Sequence, residues 1–343
     1  MSRRTLLVGT TSGAFKVELN GGEPVVQPLG LEQAGGLRCP IVVDCANPRM
    51  LFAGTVARGV LRSDDGGQNW RPMNNGLTKP EVWWLEQHSG TGELWAGTSP
   101  AAMFKSGDRG EHWRECEQLQ SLPRMPEWTF PNPPHIPHVK HISLRADDPL
   151  DILAAVEEGW LIRSRDGGSS WANLTEGTEF DSHTAYFMPH TDARVIVSTS
   201  GSGVYRSDDG GASFNASDAG LDRRYMAQLV VNPARPQVVF TAAAAVPPPG
   251  WSRPEGARSA IYRSGDQARS WTRLTGGLPE ELGAAPRAVA GDPDDPDVVC
   301  VGMTDGTVWL TEDGGAAFRV AVRMPTPRER GPAGVSSLRV LRE

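Results

Sequence analysis

The chain has 343 residues, 38% of them hydrophobic, with 39 glycines, 28 prolines and a formal charge of −7 at pH 7. That profile suits many short strands joined by tight turns rather than long helices, and an acidic balance without a basic stripe argues against a general nucleic-acid binder. No run of about 18 apolar residues exists to cross a membrane as a helix, MSRRTLLVGTTSGAFKVE has no signal-peptide core, and the four cysteines show no CxxC spacing, so reduced thiols in a cytoplasmic protein are expected.

Taken in chain order, LLVGTTSGAFKVELNGG (6–22) reads as two strands joined by a short turn. The same pair recurs at LFAGTVARGVLRS (51–63), LWAGTSPAAMFKS (94–106), ILAAVEEGWLIRS (152–164) and VIVSTSGSGVYRS (195–207). A second signature follows the pairs: SDDGGQNW (63–70), SGDRGEHW (106–113), SRDGGSSW (164–171), SDDGGASF (207–214), SGDQARSW (264–271) and TEDGGAAF (311–318). The shared pattern is Ser/Thr-x-Asp-x-Gly-x-x-aromatic, with Ala268 replacing one glycine. An Asp carboxylate and a hydroxyl can both take backbone N–H groups in a tight turn, Gly permits the reversal, and the aromatic packs between sheets. These are hairpin-stabilising roles, not catalytic ones.

Upstream of the pairs lie further apolar stretches, IVVDCANP, ISLRADDP, LVVNPARP and AVAGDPDDP. Each unit is thus four strands, A to D, with the repeated turn joining C to D. Units of this kind are propeller blades. The first unit lacks a strand A, and VSSLRVLRE (335–343) resembles one. The expected fold is all-β: one seven-bladed β-propeller over 1–343, blade 1 shared by 1–30 and 335–343. Strand 335–341 pairs with the N-terminal strands and closes the ring, removing an open edge. Arg323, Arg328 and Arg330 form a short basic run, read as a solvated loop.

The six turn motifs resemble the Asp-box, or BNR, repeat of sialidases, sortilin-type receptors, large xyloglucanases and photosystem assembly factors. WTFP followed by PHVKHI, and DSH at Asp181–His183, are similar to a bacterial subgroup commonly labelled exo-α-sialidase or glycosyl hydrolase. The resemblance implies that D–A and B–C connections crowd one face of the ring around the channel. Two of these are long and Pro-rich: 114–141, with Trp128, and 242–259, with Trp251, both read as lid-like loops.

Histidine placement singles out the same face. His135, His138 and His141 fall together before and within strand A of blade 4, and alignment through the B strands sets His183 level with Lys140, with Asp181 two residues earlier. Comparable positions hold Arg38 and Cys39, Glu81, Arg224 and Tyr225, and Arg287. The candidate catalytic residues are His138, His141, His183, Arg224 and Tyr225. The candidate substrate-binding residues are Arg38, Glu81, Trp128, Lys140, Asp181, Trp251 and Arg287. Three readings stay open. His138, His141 and His183 could bind a divalent metal, zinc or similar, with Asp181 beside it; a histidine could act as general base beside an arginine; or the imidazoles hydrogen-bond loop backbone. A nucleophile pair of Cys39 with a histidine has only position in its favour.

The sialidase resemblance implies an arginine triad, a Tyr nucleophile with a Glu partner, and an Asp acid/base. The Arg-Ile-Pro motif is absent and Tyr205 and Tyr262 hold a repeating strand-C position, so sialidase activity is disfavoured. The expectation is a propeller that binds a polar small molecule or carbohydrate at the channel mouth, as a His/Arg hydrolase or lyase. The alternative is a non-catalytic platform for a protein partner. Neither reading involves nucleic acid or a membrane.

Overall fold

The computed structural model describes residues 3–325 and 334–341, so Arg328 and Arg330 of the basic run lie outside the described residues. Seven four-stranded antiparallel sheets form the ring, each with its strands in the order A-B-C-D. In blade 1 these are Val335–Val340, Arg4–Thr10, Gly13–Leu19 and Val25–Pro28. The A strands of blades 2 to 7 are Val42–Val43, Glu81–Gln87, His138–Leu144, Ser182–Phe187, Tyr225–Val231 and Pro286–Gly291. The chain's two ends therefore share one sheet, with Leu6 opposite Val340 and Val8 opposite Leu338. Arg4 locks that seam to blade 7 through ion pairs with Asp292, Asp295 and Glu312.

The repeated turn behaves as its chemistry requires. Ser63 Oγ donates to Asp65 Oδ1 at 2.7 Å and accepts the Gly67 N–H at 2.8 Å, while Asp65 Oδ1 accepts the N–H groups of Gln68 and Asn69. The Ser/Thr-to-Asp bond recurs at Asp108, Asp166, Asp209, Asp266 and Asp313. Such bonds favour the ionised carboxylate; led by the Ser213 N–H, they bring Asp209 down to about 2.

Each turn also fastens its blade to a neighbour. The Trp70 indole N–H donates to the Leu29 carbonyl of blade 1 at 2.7 Å, Trp113 to Met73 at 2.8 Å and Trp271 to Ser217 at 2.8 Å. The basic residue before the turn's Ser reaches the opposite way: Lys105 donates to the Gly167 carbonyl and Arg163 to that of Gly210, both at 2.6 Å. A glycine after strand D completes the joint. Gly76 has φ +84, and a Cβ there would lie 2.1 Å from the Trp113 carbonyl oxygen. Apolar clusters fill the gaps between successive sheets, from Leu7, Leu51 and Leu61 at blades 1 and 2 to Val8, Cys300 and Leu338 at blades 7 and 1. Cys39 is among these packed residues, and burial pushes its thiol up to about 12, which removes it as a nucleophile.

Candidate functional site

Strand A of a blade alternates between its two packed neighbours, so a regular strand would turn no polar residue freely into the channel. The A strands of the six blades other than blade 2 solve this with a β-bulge near their start, a device that re-aims one side chain. The register slips at Trp83, Lys140, His183, Ala227–Gln228, Arg287 and Ser336. Those bulge positions line one cavity of about 340 Å³ at the channel mouth, and Arg38 supplies the contribution of blade 2. Thr11, Thr184 and Thr304 add hydroxyls to its wall. The pairing of His183 with Lys140 by alignment is therefore structural: both are bulge residues.

Around His183 the groups converge tightly. Its Nδ1–H donates to the Met226 carbonyl at 2.8 Å, which fixes the tautomer and leaves Nε2 as the free nitrogen. His183 Nε2 lies 3.3 Å from Asp181 Oδ1 and 3.8 Å from Glu157 Oε1. Neither His183 Nε2 nor Asp181 Oδ1 has a hydrogen-bond partner among the described residues, although the imidazole is 97% buried by its 3% exposure. The other oxygen of Glu157 is fully engaged: Oε2 takes the Lys140 ammonium at 2.6 Å and the His138 Nε2–H at 2.9 Å. Burial pushes the Glu157 carboxyl upward, but Lys140 and His138 outweigh it and hold the group well below its usual range. Burial takes the His138 imidazole down to about 4, so it stands neutral as a donor.

Aromatic rings carry the cations of the mouth. The Arg38 guanidinium lies 3.9 Å from the Trp83 ring centre, and His138 stacks on the same indole at 3.3 Å. Arg287 rests 4.6 Å above Trp251, which meets Tyr225 edge to face, and Tyr225 meets His183 the same way at 4.9 Å. Neither Arg38 nor Arg287 has a carboxylate in ion-pair contact among the described residues, and both are exposed to the cavity. Burial, with Glu157 and Asp181 nearby, pushes the Tyr225 phenol up, so it remains a neutral donor.

The structure thus brings together Arg38, Lys140, Asp181, His183, Tyr225, Trp251 and Arg287, with His138 behind them. Four candidates stand elsewhere. His141 lies one residue past the Lys140 bulge and so points between blades, between Trp84 and Tyr186 at 4.3 and 4.5 Å. It is therefore no partner for His183, and the trio His138, His141 and His183 does not converge. Arg224 pairs with Asp218 at 2.6 Å, and neither residue lines the cavity. Trp128 is packed into the core of blades 2 to 4 and does not line the cavity. Glu81 accepts the Trp83 indole N–H at 2.9 Å and holds that platform in place.

Glu157 is the residue that sequence reasoning missed. It ends strand B of blade 4 where the matching register positions of other blades carry Ser99 and Ala244, and in blade 7, one residue beyond the strand, Thr304. An acid in a repeat position otherwise small or hydroxylated was the available signal. With Asp181 and His183 it offers three ligand atoms within 4.8 Å of one another.

No family model matches this chain, and no curated protein matches it in sequence. Solved structures do. The chain is similar to the GH74 xyloglucanase from Xanthomonas campestris, at 17% identity and a TM-score of 0.67 over 99% of this chain and 52% of that one. It is similar to the GH74 enzyme from Niastella koreensis at 16% identity and 0.63, over 91% and 46%. YCF48 from Cyanidioschyzon merolae matches at 16% identity and 0.53, over 82% and 83%. The chain spans about half the length of those GH74 enzymes. At these identities the likeness is one of fold, and it places the chain among seven-bladed propellers that include both glycosidases and an assembly factor.

Proposed function

We propose that the mouth cavity binds a carboxylated saccharide of one or two sugar units. The observation that carries this reading is the pair Arg38 and Arg287, two exposed guanidiniums held on indoles without a carboxylate partner. A planar guanidinium on an aromatic face is preorganised for bidentate carboxylate binding. The surrounding threonines, Ser336 and Gln228 offer hydrogen bonds to sugar hydroxyls, and about 340 Å³ suits a ligand of that size. The exposed large apolar side chains among the described residues are Val25 on a strand of blade 1 and Ile136 and Leu150 on two separate connections, and they form no broad docking face.

Of the two reaction classes, elimination next to a carboxylate fits better than hydrolysis by a carboxyl pair. Hydrolysis needs one carboxyl kept protonated, and both Glu157 and Asp181 are lowered instead. Elimination needs cations at the carboxylate, which Arg38 and Arg287 supply.

The test is equilibrium binding of a uronic-acid oligosaccharide against a neutral oligosaccharide of equal length. Preferential binding of the acidic ligand, lost in Arg287→Ala and in Arg38→Ala, supports the reading. Equal affinity for both, or wild-type affinity in both variants, overturns it.

A further inference from the structure

Three lone-pair-bearing atoms face one another beside the cavity: His183 Nε2, Asp181 Oδ1 and Glu157 Oε1. Acceptors do not gather like this in a buried setting unless a positive charge lies among them. The Lys140 ammonium does not fill that role, because it sits on the other oxygen of Glu157.

We propose that His183, Asp181 and Glu157 form a binding site for one divalent transition-metal ion, with zinc the best match. The spacing fits. Bonds of about 2.0–2.1 Å around a tetrahedral zinc put ligand atoms about 3.4 Å apart, against 3.3 Å from His183 to Asp181 and 3.8 Å from His183 to Glu157. The surroundings match as well. A metal-bound imidazole characteristically gives its second N–H to a backbone carbonyl, as His183 Nδ1 does to Met226. Lys140 and His138 hold Glu157 by Oε2 and leave Oε1 for the metal. One imidazole with two carboxylates suits zinc or manganese better than magnesium or calcium. Two carboxylates and one ammonium leave the site one negative charge, so a divalent ion would make it positive, in keeping with an anionic ligand in the cavity.

The site is tested on the full chain, stripped with a chelator and titrated calorimetrically with zinc chloride and, separately, manganese chloride, with no saccharide present. A negative result therefore leaves the saccharide reading standing. One equivalent of metal is expected, with affinity at least about a hundredfold weaker in His183→Ala and in Asp181→Asn, and unchanged in Arg224→Ala. Asp181 is part-exposed, so its variant serves even where loss of His183 or Glu157 harms folding; far-UV circular dichroism confirms that each variant is folded. Failure of the wild type to bind either metal at millimolar concentration overturns the site. So does full affinity in both ligand variants, which would move the binding to surface groups such as His112 with Asp108.

Discussion

The Lys140 ammonium sits 2.6 Å from Oε2 of Glu157, a carboxylate almost wholly withdrawn from water. Removing one partner of such a pair strands the other charge. Lys140→Met is expected to destabilise the fold by about 3 kcal/mol, the lower end of the usual range because the lysine is partly exposed. The double variant Lys140→Met with Glu157→Gln should recover much of that loss, and urea unfolding of the four species checks it.

Blade joints make a second contrast. Trp271 donates its indole N–H to the Ser217 carbonyl, whereas the equivalent nitrogen of Trp171 is buried without a partner. Trp271→Phe should cost about 1–3 kcal/mol by leaving that carbonyl unpaired. Trp171→Phe removes an unsatisfied donor and should change stability by under about 1 kcal/mol. Denaturation midpoints of the two variants, side by side, decide it.

Acid stability should depend on His141. Burial lowers its imidazole to about 3, against about 6.5 in an unfolded chain. A depressed folded value means the unfolded state takes the proton first. The contribution is therefore complete above about pH 6.5 and is lost as pH falls towards 3, at up to about 1.4 kcal/mol per pH unit. Between pH 7.5 and pH 5, His141→Gln should lose less stability than the wild type by roughly 1–2 kcal/mol. Urea midpoints at the two pH values measure it.

Ring closure can be probed at Leu338, which is buried between blades 7 and 1. Leu338→Ala should cost about 2–4 kcal/mol as a cavity. Because strand 335–340 completes the first sheet, the loss should appear in the main unfolding transition and not as separate fraying. Calorimetry distinguishes the two.

The architecture was legible because turn chemistry repeats. Ser63–Trp70 and its relatives carry their meaning within eight residues, and a seventh B–C pair without a strand A told where the chain's end must go. The cavity was half legible for a physical reason. Lys140, His183 and Arg287 could be placed by alignment because the bulge falls at the same register position in their three blades. His141 could not be sorted from them, because one residue past a bulge the side chain turns into a blade interface, nor could Arg224, which precedes its strand and pairs with Asp218. Glu157 lay at the far end of a strand whose repeat partners carry no charge, and only the sheet pairing sets it beside His183.

The bulges have a consequence for how such a cavity can change. Six blades carry such a bulge, and where its side chain makes no buried ion pair of the kind Lys140 makes, as at Arg287, a substitution alters chemistry while the surrounding hairpins keep their shape. Several such positions around a circle amount to a combinatorial lock, in which recognition can be rewritten one tooth at a time without recutting the ring.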